Sequence, residues 1–355
     1  MSAPFLSRSE YLKLPLKERL RRTLQLADRE EERATQLHER LMPIDLHTHI
    51  TDEYDRERLR NSGLTCMFEA VAVIPEIFEE STRELGSLFH FVQTQPDMQV
   101  GFCAEDIRKA KKSGKQLVMA QFEPQTIGLQ LDRIDTLYGL GVRMMMLTFN
   151  SRNYVGDGCG ERTDSGLSYF GLDVVDRMNK VGMMIDLSHC GDRTTLDTIE
   201  ASKDPVLFNH TGARALHSKC KRLKTDEAMK ALAEKGGLMG ISAVPNQLSN
   251  AKRQGIQDML SHIDYAVKLI GVDHVAIGLD NVFGDQVAHH RAGSKTVFLL
   301  SRIGQELNAD YMEGIESPEE WPNITRGLVS RGYSDQEIEK IISGNALRII
   351  EQVVG

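Results

Sequence analysis

The sequence predicts an α/β protein: a single (β/α)8 TIM-type barrel with an N-terminal helical extension and C-terminal helices. Three observations predict it. Eight short apolar runs recur between residues 42 and 279, amphipathic segments separate most of them, and no G-x-G-x-x-G turn follows an early run. Repeated strand–helix alternation argues for a parallel sheet flanked by helices. Eight such units in about 300 residues favour closure into a barrel, whose strands are buried on both faces and read as near-continuous apolar runs. The missing glycine fingerprint counts against the alternative, a doubly wound open sheet.

In chain order, residues 16–41 carry strong helix formers, charges of both signs and neither Gly nor Pro. Leu16, Leu20, Leu24 and Ala27 fall at helical spacing, so one stripe packs while the charged face stays wet. Residues 1–41 therefore read as a helical extension lying against the main body, ended by Pro43, and residues 42–355 as the barrel. The strand-like runs are Met42–His47, Leu64–Val73, Gln116–Phe122, Val142–Thr148, Met183–Ser188, Pro205–Asn209, Gly237–Ala243 and His274–Leu279. Helix-like stretches between them include Gln130–Leu140, Gly171–Val181, Thr194–Ser202, Thr225–Lys235 and Met259–Ile270. The C-terminal segment reads as two further helices, Pro322–Ser330 and Ser334–Val353, the second opened by the Ser334/Glu337 capping pair. It is expected to close the barrel or to line a subunit contact.

Composition narrows the function. The 355 residues hold 43 Lys+Arg against 51 Asp+Glu, a formal charge of −8, with 41% hydrophobic and 26% charged residues. That is an ordinary globular balance, and with no dense basic cluster it argues against nucleic acid and anionic membrane as partners. No apolar run approaches the length of a spanning helix. The N-terminal stretch interrupts its few apolar residues with Arg, Ser, Glu and Lys, which does not read as a signal peptide. The five cysteines (Cys66, Cys103, Cys159, Cys190 and Cys220) are odd in number and scattered, as expected of reduced thiols in a cytoplasm.

The polar residues that end these runs carry the chemistry. The first run leads into His47-Thr48-His49, the third into Glu123, the fifth into His189, the sixth into His210 and the eighth into Asp280. In a barrel enzyme the C-terminal strand ends converge on one face, so five separated positions become one cluster. His47 and His49, two apart on an extended run, point to the same side and suit one metal. By the same alternation, an inward His189 puts Leu187 and Ile185 inward, and an inward His210 puts Phe208 and Val206 inward. Glu123 is costly to bury unless paired or coordinated, and it offsets the charge of a divalent pair among neutral imidazoles. Asp280 is the candidate general base. Arg222 offers a planar fork for a substrate carboxylate. Cys190 abuts His189 but points to the opposite face, so it does not read as a nucleophile.

The stretches LGVRMMMLTFNSRN, GLDVVDRMNKVGMMIDLSHC, NHTGARALHSKCKRLKTDEAMKALAEKGGLMGIS, HIDYAVKLIGVDHVAIGLD and GLVSRGYSDQEIEKIISGNALRII resemble the membrane (renal-type) dipeptidases, peptidase family M19 of the amidohydrolase superfamily. The resemblance covers roughly residues 43–352. It implies a metal-dependent hydrolase with two zinc ions, often a homodimer, acting on dipeptides. Carried over by position, His47 and His49 bind one metal, Glu123 bridges the pair, His189 and His210 bind the other, and Asp280 handles the proton. Arg222 matches the arginine that holds the dipeptide carboxylate, at the cost of a one-residue insertion.

Three departures bear on specificity. The family pattern His-x-Asp is here His47-Thr48-His49, the histidine after the fourth strand is replaced by Phe149, and the eighth strand runs into Asp280-Asn281-Val282-Phe283-Gly284 in place of Asp-Phe-Asp-Gly. Phe149 cannot donate a hydrogen bond to a substrate carbonyl. The expected enzyme is thus a cytoplasmic binuclear zinc hydrolase in which a metal-bridging hydroxide attacks the amide carbonyl of a dipeptide or similar small amide. Two alternatives stand beside it: the same metals on another substrate (a cyclic amide, an N-acyl amino acid, a lactone or a decarboxylation), and an inactive barrel serving as a binding scaffold.

Overall fold

The computed structural model describes residues 6–51, 53–71, 77–122, 124–292 and 300–355. Its main sheet is parallel: β1 (Ile44–His49), β2 (Cys66–Val71), β3 (Met98–Val100), β4 (Gln116–Phe122), β5 (Val142–Met146), β6 (Met184–Asp186), β7 (Leu207–Thr211) and β8 (Leu238–Ile241). After β9 (Gln254–Gly255), which lies outside this sheet, come β10 (Val275–Ile277) and β11 (Asn281–Val282). Strand β10 pairs with β8 and β11 pairs with β1, so the two outermost strands of the sheet are two pieces of one stretch of chain. Gly278 N donates to Ile241 O on one side and Asp280 N to His47 O at 2.9 Å on the other. The sheet therefore closes on itself, with eight staves as expected, and β3 is an extra strand beside the start of β4.

Closure is locked by Asp45. Its Oδ1 accepts from Leu279 N at 2.9 Å and His47 N at 3.2 Å, and its Oδ2 from Trp321 Nε1 at 3.0 Å. Burial pushes this carboxyl up to about 7 against those three donors.

Leu46, Phe68, Met119, Met144, Met184 and Leu207 share one buried cluster with Ala346, Ile349 and Ile350 of the last helix, Asn345–Val353. That helix plugs the bottom of the barrel. Ile185, Leu187, Val206 and Phe208 belong instead to the shell between strands and helices. The expected phase of the fifth and sixth runs is thus corrected: the inward positions are Met184 and Leu207, one residue out of step with the histidines. His189 escapes the alternation because β6 ends at Asp186, and His210 because the β7 register shifts between Phe208 and Thr211. A similar shift between Asp45 and Thr48 in β1 lets His47 follow Leu46 inward. Such irregularities re-aim side chains beside functional sites.

The extension is three helices, α1 (Arg8–Leu12), α2 (Leu16–Thr23) and α3 (Asp28–Arg40), where the sequence suggested one run over 16–41. Leu24 is extended, and the Glu30 carboxylate caps the next helix by accepting from Ala27 N at 2.9 Å. The carbonyls at the end of α2 are met by Arg326, which bonds Leu20 O and, at 3.0 Å, Leu24 O. The C-terminal run keeps its Ser334/Glu337 capping box but passes through a π-turn at Lys340–Gly344. No helix among the described residues is long and apolar enough to cross a membrane.

Candidate active site

The C-terminal strand ends bring His47, His49, His189, His210 and Asp280 together. His47 Nε2 and His49 Nε2 lie 3.2 Å apart, and His189 Nε2 and His210 Nε2 lie 3.0 Å apart. Asp280 stands between the pairs, Oδ1 at 3.2 Å from His49 Nε2 and 3.6 Å from His47 Nε2, Oδ2 at 3.6 Å from His210 Nε2. The His47 and His210 rings, from opposite parts of the ring, approach to 3.8 Å between centroids. Asp280 adopts φ 57°, a left-handed backbone in which Asp is among the more tolerant side chains. This turn, between β10 and β11, lets one carboxylate reach both pairs.

Three of the four histidines, His189, His210 and His47, are held from behind. His189 Nδ1 donates to Asn150 Oδ1 at 2.8 Å, and His210 Nδ1 to Asn209 Oδ1. His47 Nδ1 lies 2.8 Å from Gln121 Nε2 and 3.2 Å from Asn209 Nδ2. On the neighbouring strand, Glu69 accepts from Ile50 N at 2.7 Å and from the Thr48 hydroxyl at 3.1 Å, and burial pushes it up to about 7. Burial lowers His47 to about 3 and drives His189 and His210 well below the ordinary imidazole range, so the rings are neutral at physiological pH. Asp280 is held below its ordinary value: burial opposes this, but the hydrogen bond from His49, the electrostatic pull of His47 and His49 and the charge of Arg222 outweigh it.

The remaining sequence candidates fall as follows. Phe149 stacks on the His189 ring, centroids 4.1 Å apart and planes 18° apart. Arg222 is buried behind the site, donating Nη1 to Ser188 O and Nη2 to His210 O at 2.7 Å. Its charge reaches the histidines and Asp280, while both terminal nitrogens serve main-chain carbonyls. Cys190 is buried, with its thiol pushed up to about 11 by desolvation, in keeping with its dismissal as a nucleophile. Glu123 lies outside the described residues.

A scan against family models matches residues 16–313 to membrane dipeptidase, peptidase family M19. The chain belongs to this family. Among curated relatives it is 24% identical over 328 residues to Dipeptidase 3 of Rattus norvegicus, covering 88% of this chain and 61% of that one. It is 27% identical over 261 residues to Dipeptidase tcpJ of Claviceps purpurea, covering 72% and 55%. The chain thus spans about three-fifths of the length of the curated relatives it matches. Among solved structures, an amidohydrolase from Pseudomonas aeruginosa superposes with a TM-score of 0.81 at 29% identity, over 91% of this chain and 99% of that one. The probable dipeptidase PvdM from the same organism gives 0.77 at 21% identity, over 92% and 99%, which shows a shared fold.

For an M19 chain the question is whether these residues fit metal ions, and they do. His47, His49 and Asp280 offer ligand atoms within 4.8 Å of one another. His189 and His210 commit their Nδ1 hydrogens elsewhere, so two bare Nε2 lone pairs of buried rings face each other at 3.0 Å. Two nitrogens on one tetrahedral zinc stand about 3.3 Å apart, given bonds near 2.0–2.1 Å. A cation bound between them would relieve the repulsion of the two lone pairs.

Sequence reading missed the supporting amides Asn150, Gln121 and Asn209. A signal for two of them was present, since Gln121 follows Leu117 and Met119, and Asn209 follows Leu207, at period two on the inward face. A polar residue at an interior position demands a partner.

Proposed function

We propose that this chain is a binuclear, zinc-dependent hydrolase that cleaves a dipeptide or a similar small amide. The observation that carries the reading is the convergence of four imidazoles and one carboxylate from separated strand ends, with the nitrogen lone pairs of His189 and His210 facing one another. His47 and His49 would hold one ion and His189 and His210 the other, and the family resemblance makes Glu123 a further ligand. A bound pair of divalent ions supplies Lewis-acid polarisation of the scissile carbonyl and an activated water at neutral pH. The chain's own residues do the rest. Asp280, ionised and within reach of both pairs, accepts the water's proton and returns it to the leaving amine. Burial keeps the histidines neutral, and the buried Arg222 charge adds to that effect and favours a substrate carboxylate nearby. Reduced, scattered cysteines support a cytoplasmic setting, and the family resemblance supports a homodimer. A panel of dipeptides, including members with a D-configured C-terminal residue, assayed with zinc and with manganese, tests the proposal; turnover of at least one member is expected, and none on any would sink it.

A second reading keeps the metal centre and changes the substrate to a cyclic amide, an N-acyl amino acid or a lactone. Two observations favour it: Phe149 covers His189 with a ring that donates no hydrogen bond, and the Arg222 fork is occupied by Ser188 O and His210 O. Phe149→His discriminates. On a dipeptide substrate it should raise kcat by about tenfold, short of the 10²–10³ that removing a built-in carbonyl donor costs. An unchanged or lower rate favours the second reading.

A further inference from the structure

The two histidine pairs are wired together by a hydrogen-bond chain that runs one way. His210 Nδ1–H donates to Asn209 Oδ1, Asn209 Nδ2–H to Gln121 Oε1 at 2.7 Å, and Gln121 Nε2–H to His47 Nδ1 at 2.8 Å. All four residues are at most 4% exposed, so water does not compete for these bonds. The main chain sets the direction. Gln121 Nε2 also donates to Phe68 O at 3.2 Å and Asn209 Nδ2 to Leu46 O at 3.3 Å. Turning over the Gln121 amide alone would set its oxygen against Phe68 O and its nitrogen against the Asn209 nitrogen, leaving buried groups unsatisfied.

The two ends of such a chain are not equivalent. A neutral imidazole that donates from Nδ1 keeps Nε2 bare, and one that accepts at Nδ1 carries its hydrogen on Nε2. His210 is the first kind, as is His189 through Asn150 Oδ1; His47 is the second. Reversing every link would only exchange the ends. We infer that the Asn209–Gln121 amide chain makes the two halves of the site unequal: the His189/His210 pair is set to receive a cation, and the His47/His49 pair receives one only by breaking the chain. The inference rests on the metal reading above. It identifies Asn209 and Gln121 as positioning residues that decide the order in which the site fills.

Calorimetric titration of the metal-free, full-length protein with zinc should resolve two steps, the second weaker by about tenfold or more, the scale on which an outer-shell partner acts. Asn209→Asp places two acceptor oxygens at the junction, one of which would oppose Gln121 Oε1. Turning Gln121 over gives up its bond to Phe68 O but gives both His210 and Gln121 an acceptor there, and His47 switches to an Nδ1–H form. Gln121→Glu gives the same freedom by another route, which keeps the test alive if one variant does not fold. Either carboxylate strengthens both steps by its charge, so the readout is the ratio, and it should collapse toward one. Long-range ¹⁵N–¹H correlations of labelled histidines in the metal-free protein give a second readout: Nε2–H at His47 and Nδ1–H at His210 in the wild type, Nδ1–H at both in Asn209→Asp. Equal zinc steps in the wild type, a ratio unchanged in both variants, or Nδ1–H at His47 in the wild type overturns the inference. A wild-type protein that takes up no zinc overturns the metal reading itself and takes the inference with it.

Discussion

The barrel mouth and the seam that fastens the N-terminal helices are both buried clusters of ionisable groups, and they meet the cost of burial in opposite ways. In the seam, Arg19 bonds Glu319 at 2.7 Å and approaches Glu320 at 3.3 Å, Arg58 bonds Glu319 at 2.9 Å, Arg8 bonds Glu316, and Tyr11 donates to Glu320. Each carboxylate there has a cation or donor supplied by the chain. At the mouth the imidazoles are stripped of charge by burial and then aimed at one another. Apart from the buried Arg19 Nε, which has no hydrogen-bond partner among the described residues, the seam's charges are met by the chain itself and serve the fold. The mouth carries a repulsion that a bound cation would relieve, and an unmet need of that kind is what marks a site.

Removing the charge that spans the two histidine pairs is the hardest test of this contrast. Asp280→Asn keeps the shape and tolerates the same left-handed backbone, so the melting temperature should hardly move. Activity on whichever substrate the panel reveals should fall by about 10²–10⁴, the range that general acid–base groups contribute. A variant with near wild-type turnover would remove Asp280 from the chemistry. The seam should respond the other way. Arg19→Met leaves Glu319 and Glu320 buried without their shared cation, and breaking a buried pair from one side costs about 3–5 kcal/mol. Denaturant unfolding should show that loss while kcat per folded molecule stays constant; a kcat loss without a stability loss would mean that the seam communicates with the mouth.

The contrast also explains what could be read from the sequence. The eight staves, the closing helix and all five strand-end residues that can be described, His47, His49, His189, His210 and Asp280, follow from apolar runs ending in polar residues. Period-two phase failed at β6 and β7 because His189 lies beyond the strand and His210 in a register shift, departures that depend on partner strands far along the chain. The seam was illegible for a related reason. Arg19 and Glu319 are separated by 300 residues, and a charge-rich helix such as residues 16–41 looks equally suited to water. The expected stripe packs only in part, with Leu24 buried, Leu16 and Leu20 half-buried and Ala27 exposed, while α3 lies against the Pro322–Ser330 helix; only the tertiary structure reveals that Arg19, a charged residue of α2, is buried.

The smallest effect is a difference in pH slope, and it separates the two regions by sign. Burial pushes Glu316 and Glu320 up to about 7 from an ordinary 4.5, against the pull of Arg8 and Arg19. A carboxyl raised in this way binds its proton more tightly folded than unfolded. Its contribution to stability is full below about 4.5 and drains away as pH climbs to about 7. At the mouth, His47 is lowered to about 3 from 6.5, so its burial costs nothing above 6.5 and destabilises as pH falls toward 3. Glu320→Gln deletes one titration from the seam and none from the mouth. Its stability, measured by urea unfolding in steps from pH 5 to pH 7, should therefore decline less with rising pH than that of the wild type, so that the variant gains on its parent across the window. Parallel slopes would mean that Glu320 remains ionised in the seam, with Arg19 fully offsetting its burial, and the opposition between the two clusters would then rest on the histidines alone.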